Sequence, residues 1–112
     1  MELPGKENCY VDERKVTDYL LNTTRMPAAA KARFFFSCGF TLDEWSELAR
    51  ALKAHGQTQA LVGTTESAYG AKYEIEGPLA CPDGREPVVR SVWQIDTDEL
   101  APRLITAYPV LK

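Results

Sequence analysis

The chain has 112 residues, 45% hydrophobic and 26% charged, with a formal net charge of −3. That length predicts a single domain, 1–112, with one core, and the composition excludes a chain disordered throughout. The acidic balance excludes a broad electrostatic nucleic-acid binder, because neutralising phosphates needs clustered Lys and Arg, and leaves open only a local basic groove.

Residues 1–10 carry no apolar stripe and are expected to be loosely ordered. Asp12 then caps a helix with Glu13 in its first turn and Val16, Tyr19 and Leu20 on its apolar face, ending near Asn22. After a loop at 23–26, Pro27 suits a first helical turn, and a second helix runs over 28–38, with Ala32, Phe35 and Phe36 apolar, to the stop signal Gly39. The third helix opens on a capping box, Thr41 and Glu44, with Phe40 and Trp45 positioned as a hydrophobic staple. Its buried stripe is Trp45, Leu48, Ala49 and Leu52, and His55 and Gly56 end it.

From Thr58 the period changes to two. A strand over 60–66 is weakened by Gly63, and residues 67–70 turn the chain. Ala71, Tyr73 and Ile75 then alternate with Lys72, Glu74 and Glu76, the pattern of a strand with one wet face. Pro82, Asp83 and Gly84 suit a tight turn. In the next strand Val89, Ser91, Trp93 and Ile95 share one face and Val88, Arg90, Val92 and Gln94 the other. In the last, Leu104, Thr106 and Tyr108 oppose Arg103, Ile105 and Ala107. This order predicts the α+β class: about three N-terminal helices on one face of an antiparallel meander sheet of about four strands.

Little of this spells chemistry. The acidic residues fall at helix starts or on exposed helical faces. His55 lies in a last helical turn, where a cation assists the terminal carbonyls, and no neighbour in sequence orients it for catalysis. Cys9, Cys38 and Cys81 show no metal-ligand spacing and read as free thiols of a reducing cytoplasm. No phosphate-binding glycine loop is present, so neither a nucleotide cofactor nor a metal is expected. No apolar run is long enough to span a membrane, the first residues lack a signal-peptide core, and the chain opens at Met1 with no delivery segment ahead. Together these predict a cytoplasmic protein. What remains is Lys31, Lys72, Arg90, Arg103, Thr106 and Tyr108. One reading is a ladder of cross-strand charge pairs, Arg90 with Glu74 or Glu76. The other is a phosphodiester site on the sheet, in which Arg90, Arg103, Thr106 and Tyr108 act on the reacting groups and Lys31 and Lys72 bind substrate.

Tyr19-Leu20-Leu21-Asn22, Lys31-Ala32-Arg33-Phe34-Phe35, Gly39-Phe40, Trp45, Gly77-Pro78-Leu79, Pro82-Asp83-Gly84-Arg85, Val92-Trp93 and Pro102-Arg103-Leu104-Ile105-Thr106-Ala107-Tyr108-Pro109 together resemble a small bacterial domain family of unknown function. The helices-then-sheet order is similar in turn to the barnase, colicin and RelE-like toxin ribonucleases, a likeness of fold. It implies a metal-independent ribonuclease of toxin type acting on RNA. The alternative is a non-catalytic binding or immunity-type protein that uses the polar sheet face for a small cognate partner protein. In the segment where such relatives are expected to carry a His-Lys pair this chain has Ala30 before Lys31, which removes one candidate general base.

Overall fold

The computed structural model describes residues 2–22 and 28–110, so the expected role of Pro27 lies outside the described residues. Asp12 does cap the first helix, accepting from the Arg14 N–H at 2.8 Å. That helix, α1 (Glu13–Lys15), runs directly into a π-helical turn, Val16–Leu20, closed by Leu21 N–H on the Val16 carbonyl at 2.8 Å. Val16 and Leu20 are buried and Tyr19 is left half-buried at the edge of the apolar stripe.

Helix α2 (Ala28–Ser37) ends on Gly39 at φ +102°, as its stop signal requires. Phe40 N–H reaches the Phe35 carbonyl at 3.2 Å and Gly39 N–H the Phe36 carbonyl at 3.0 Å. This double closure is a Schellman motif, and the Phe35 and Phe40 rings meet edge-on across it at 6.2 Å. Helix α3 (Trp45–Thr58) follows. Thr41 Oγ1 accepts from the Glu44 N–H at 3.2 Å, the forward half of the capping box, while the Glu44 carboxyl lies against Glu47, which holds it above its ordinary value. Thr41→Ala is therefore expected to lower stability by about 1 kcal/mol in urea melts; an unchanged midpoint would mean that the helix starts without this cap.

The strands β1 (Ala60–Ser67), β2 (Gly70–Pro78), β3 (Val88–Asp96) and β4 (Arg103–Pro109) pair antiparallel in sequence order. The Gly84 N–H closes the turn before β3 on the Cys81 carbonyl at 3.0 Å. The α+β class thus holds: α3 packs on β2 and β3, α2 on β4, and both cover one sheet face. Val89, Trp93, Ile75, Leu104 and Ala107 meet Leu48, Leu52 and Phe35 there.

Four expectations need correction. Residues 2–10 are not loose: Leu3 and Cys9 are in the core, a 3-10 turn forms at Lys6–Asn8, and Tyr10 bridges to Arg103 alongside β4. Helix α3 does not stop at His55 and Gly56 but continues to Thr58. The alternation in β4 breaks, because pairing slips by one residue between Val92 and Trp93. Trp93 pairs with Leu104 and Val92 with Thr106, so the bulge makes Leu104 and Ala107 the buried residues and sends Thr106 and Tyr108 to the face of Arg90.

The fourth concerns His55, which caps nothing. Its ring is 2% exposed and sits between Ser91 Oγ at 2.8 Å and the Gly77 carbonyl at 3.0 Å. A carbonyl only accepts, so Nε2 carries the hydrogen, and Nδ1 accepts from the Ser91 hydroxyl, which itself accepts from Trp93 Nε1 at 2.9 Å. Burial pushes the His55 pKa below its usual value. The folded ring stays neutral to a lower pH than the unfolded one, which takes a proton below about pH 6.5. The contribution is therefore complete above that pH and is lost as pH falls through it, by at most about 1.4 kcal/mol per pH unit. Urea melts between pH 7.5 and 5 should show this fall in the wild type and a flatter profile in His55→Gln; parallel profiles would contradict it.

Candidate functional site

The open face of the sheet and its β4 edge carry the polar residues singled out from the sequence, in two groups rather than one. At the edge, α2 directs Lys31 toward β4. Its ammonium donates to Tyr19 OH at 2.8 Å and to Thr106 Oγ1 at 3.0 Å, and lies 5.1 Å and 5.7 Å from the Tyr19 and Tyr108 ring centroids. Among the described residues Lys31 makes no ion pair, so its charge faces hydroxyls and π-faces alone. The hydrogen bond from Lys31 and, after it, the one from Thr106 hold Tyr19 below the usual phenol value. Lys15, one helical turn before Tyr19, also lies over its ring, 5.1 Å from the centroid. Tyr108 stands opposite Arg90 in the β3–β4 register.

The second group lies along one row across the sheet: Thr65 faces Lys72, Lys72 faces Gln94 and Gln94 faces Arg103. Together with Ser67, Tyr69 and Asp96 these residues line a groove of about 550 Å³. Arg103 grips Asp96 through Nε at 2.7 Å and Nη2 at 3.2 Å, and Gln94 donates to the same carboxylate at 2.5 Å. Those contacts, Arg103 first, hold Asp96 below the ordinary carboxylate range. A second groove of about 420 Å³ shares Arg103 with the first and is lined also by Tyr10, Asp12, Arg14, Lys15, Tyr19 and Leu104.

A single phosphate cradle joining Arg90 to Arg103 is not what forms. Arg103 lies opposite Gln94, four residues along β3 from Arg90, which is about 13 Å of strand. Arg90 is closed by two carboxylates, Glu76 at 2.5 Å and Glu74 at 3.3 Å, which is the charge-ladder alternative. The fold brings Lys31, Thr106 and Tyr108 together with Arg90 beside them, and puts Lys72 with Arg103. Tyr19 was hidden in a helical apolar stripe and Lys15 was not singled out; their i, i+4 spacing was the available signal.

Other reactive groups are set apart. Ser91 and His55 form a hydroxyl–imidazole pair, but both are buried where α3 meets the sheet. Burial, with the Cys38 thiol beside it, pushes the Cys81 thiol up to about 12, so it holds almost no thiolate at neutral pH. Among the described residues no three His, Cys, Asp or Glu side chains converge as metal ligands, and no helix is long and apolar enough to cross a membrane.

A domain family of unknown function, DUF6883, matches residues 2–111. No curated protein matches. Among solved structures, the chain is similar to one chain of a contact-dependent growth inhibition toxin–immunity protein complex from Klebsiella pneumoniae 342. The TM-score is 0.74 at 22% identity, over 96% of this chain and 98% of that one. Likeness at that identity is likeness of fold.

Proposed function

The chain belongs to the DUF6883 family, and on that footing we propose that it is a toxin-type ribonuclease cleaving RNA without a metal ion, with the Lys31 cluster as its reaction centre. One observation carries this reading: a half-buried ammonium at 2.8 Å and 3.0 Å from two hydroxyls, with Tyr108 beside it and, among the described residues, no carboxylate paired with it. The fold it shares with a chain of a toxin–immunity complex supports the toxin class.

In such a reaction the ribose 2′-oxygen attacks phosphorus as its proton leaves, the bond to the 5′-oxygen breaks, and that oxygen takes up a proton. The products are a 2′,3′-cyclic phosphate and a 5′-hydroxyl. Lys31 stabilises the charge gathering on the phosphoryl oxygens, a task for a fixed cation in a partly dry site. Tyr19, biased toward phenolate by Lys31, receives the 2′-proton that Ala30 cannot. Tyr108 and Thr106 engage the leaving group and the phosphoryl oxygens, with Arg90 and Arg103 flanking them. The protein would act in the cytoplasm, where its RNA lies.

A second reading, an immunity-type or other binding protein, is favoured by the closure of Arg90 by Glu74 and Glu76, which leaves that strip of sheet polar and net acidic, a poor seat for phosphate. Total RNA incubated with the chain in excess chelator separates the two. Fragmentation by the wild type, and its loss in Lys31→Ala and Tyr19→Phe, is the outcome expected of a ribonuclease; intact RNA with a folded wild type favours the binding protein.

A further inference from the structure

The two grooves meet at Arg103, and each has an exposed tyrosine: Tyr69, 78% exposed, in the turn before β2, and Tyr10, 46% exposed, beside β4. Neither degree of exposure serves the core. Around them stand four cations, Arg14, Lys15, Lys72 and Arg103, against two carboxylates, Asp12 and Asp96, on a chain whose net charge is −3. Asp96 is already bound by Arg103 and Gln94, and one oxygen of Asp12 accepts the Arg14 N–H. Asp96 uses two of the five N–H donors of the Arg103 guanidinium, which leaves three in a fixed direction.

We infer that these grooves form one track for a single-stranded stretch of RNA, with a base stacked on Tyr69, a base stacked on Tyr10 and the phosphate between them on Arg103. The inference rests on the ribonuclease reading and extends it, because the second groove is lined by Tyr19 and so delivers the strand to the Lys31 cluster. Aromatic faces flanking a cationic groove bind unpaired bases with little sequence preference, since every base has a π-face. A duplex keeps its bases stacked within itself and has none to lend.

The test is steady-state cleavage of a labelled, unstructured oligoribonucleotide of about 12 nucleotides, alone and annealed to its complement. Tyr69→Ala and Tyr10→Ala should each raise KM for the single strand by about 5- to 10-fold, the low end expected of an exposed stacking contact. The turnover number kcat should stay within about twofold, because stacking holds substrate and transition state alike. Tyr69→Phe and Tyr10→Phe should restore KM, since the ring and not the hydroxyl does the stacking. The duplex should be cut poorly by all. Unchanged KM in both alanine variants, or a loss that phenylalanine does not restore, overturns the track while leaving the ribonuclease reading intact. A folded wild type that cuts neither substrate overturns both.

Discussion

Trp93→Ala is expected to cost about 3–5 kcal/mol and to leave the domain marginally folded at best. The indole is fully buried between the sheet and α3, and the backbone of Gly56 lies directly on it: a Cβ at that position would stand 2.6 Å from the ring. Removing the ring empties the centre of the core. It also takes away the first donor of the buried chain that runs from Trp93 through Ser91 and His55 to the Gly77 carbonyl. The complementary change, Gly56→Ala, gains about 1 kcal/mol of helix propensity but forces a methyl group into the ring. Overpacking of this kind costs about 1–3 kcal/mol, so the net should be destabilising. Urea midpoints for both variants check the packing, and a stabilised Gly56→Ala would contradict it.

Lys31→Ala should lower the rate of RNA cleavage by about 10²- to 10³-fold, the usual cost of removing one fixed group that stabilises transition-state charge. Its effect on folding should be small, below about 1 kcal/mol, because water can replace the ammonium at Tyr19 and Thr106 on a half-buried edge. That separation makes the rate loss interpretable. Tyr19 adds a second signature. Its phenol is held below the ordinary value by Lys31, so the wild-type rate should climb with pH toward that lowered phenol pKa and the climb should vanish in Tyr19→Phe. An unchanged pH profile in Tyr19→Phe would assign the proton transfer elsewhere.

The elements legible in the sequence were those written in neighbouring residues. Asp12 and Gly39 act where they stand, Thr41 supplies its half of the capping box, and the alternation of Val89, Ser91 and Trp93 survives into the buried face of β3. The features that escaped depend on contacts far apart in the chain. The β4 bulge arises from its pairing with β3, and it reverses the facing of Thr106 and Tyr108 that simple alternation expects. His55 looked like a cap because its partners, Ser91 and Gly77, are 36 and 22 residues away. Tyr19 was read as core because the spacing to Val16 and Leu20 is helical; the π-helical turn and the reach of Lys31 give it a second role. The polar set itself was found by elimination, as charges and hydroxyls the sheet did not need. Its division between the β4 edge and the open-face groove required the strand register.

The most direct measurement is the chemical identity of the ends produced when the purified chain meets RNA in excess chelator. Fragments ending in a 2′,3′-cyclic phosphate and beginning with a 5′-hydroxyl, made by the wild type and not by Lys31→Ala, are the predicted result. RNA left intact by a folded wild type, or fragments with 3′-hydroxyl and 5′-phosphate ends, would contradict the account.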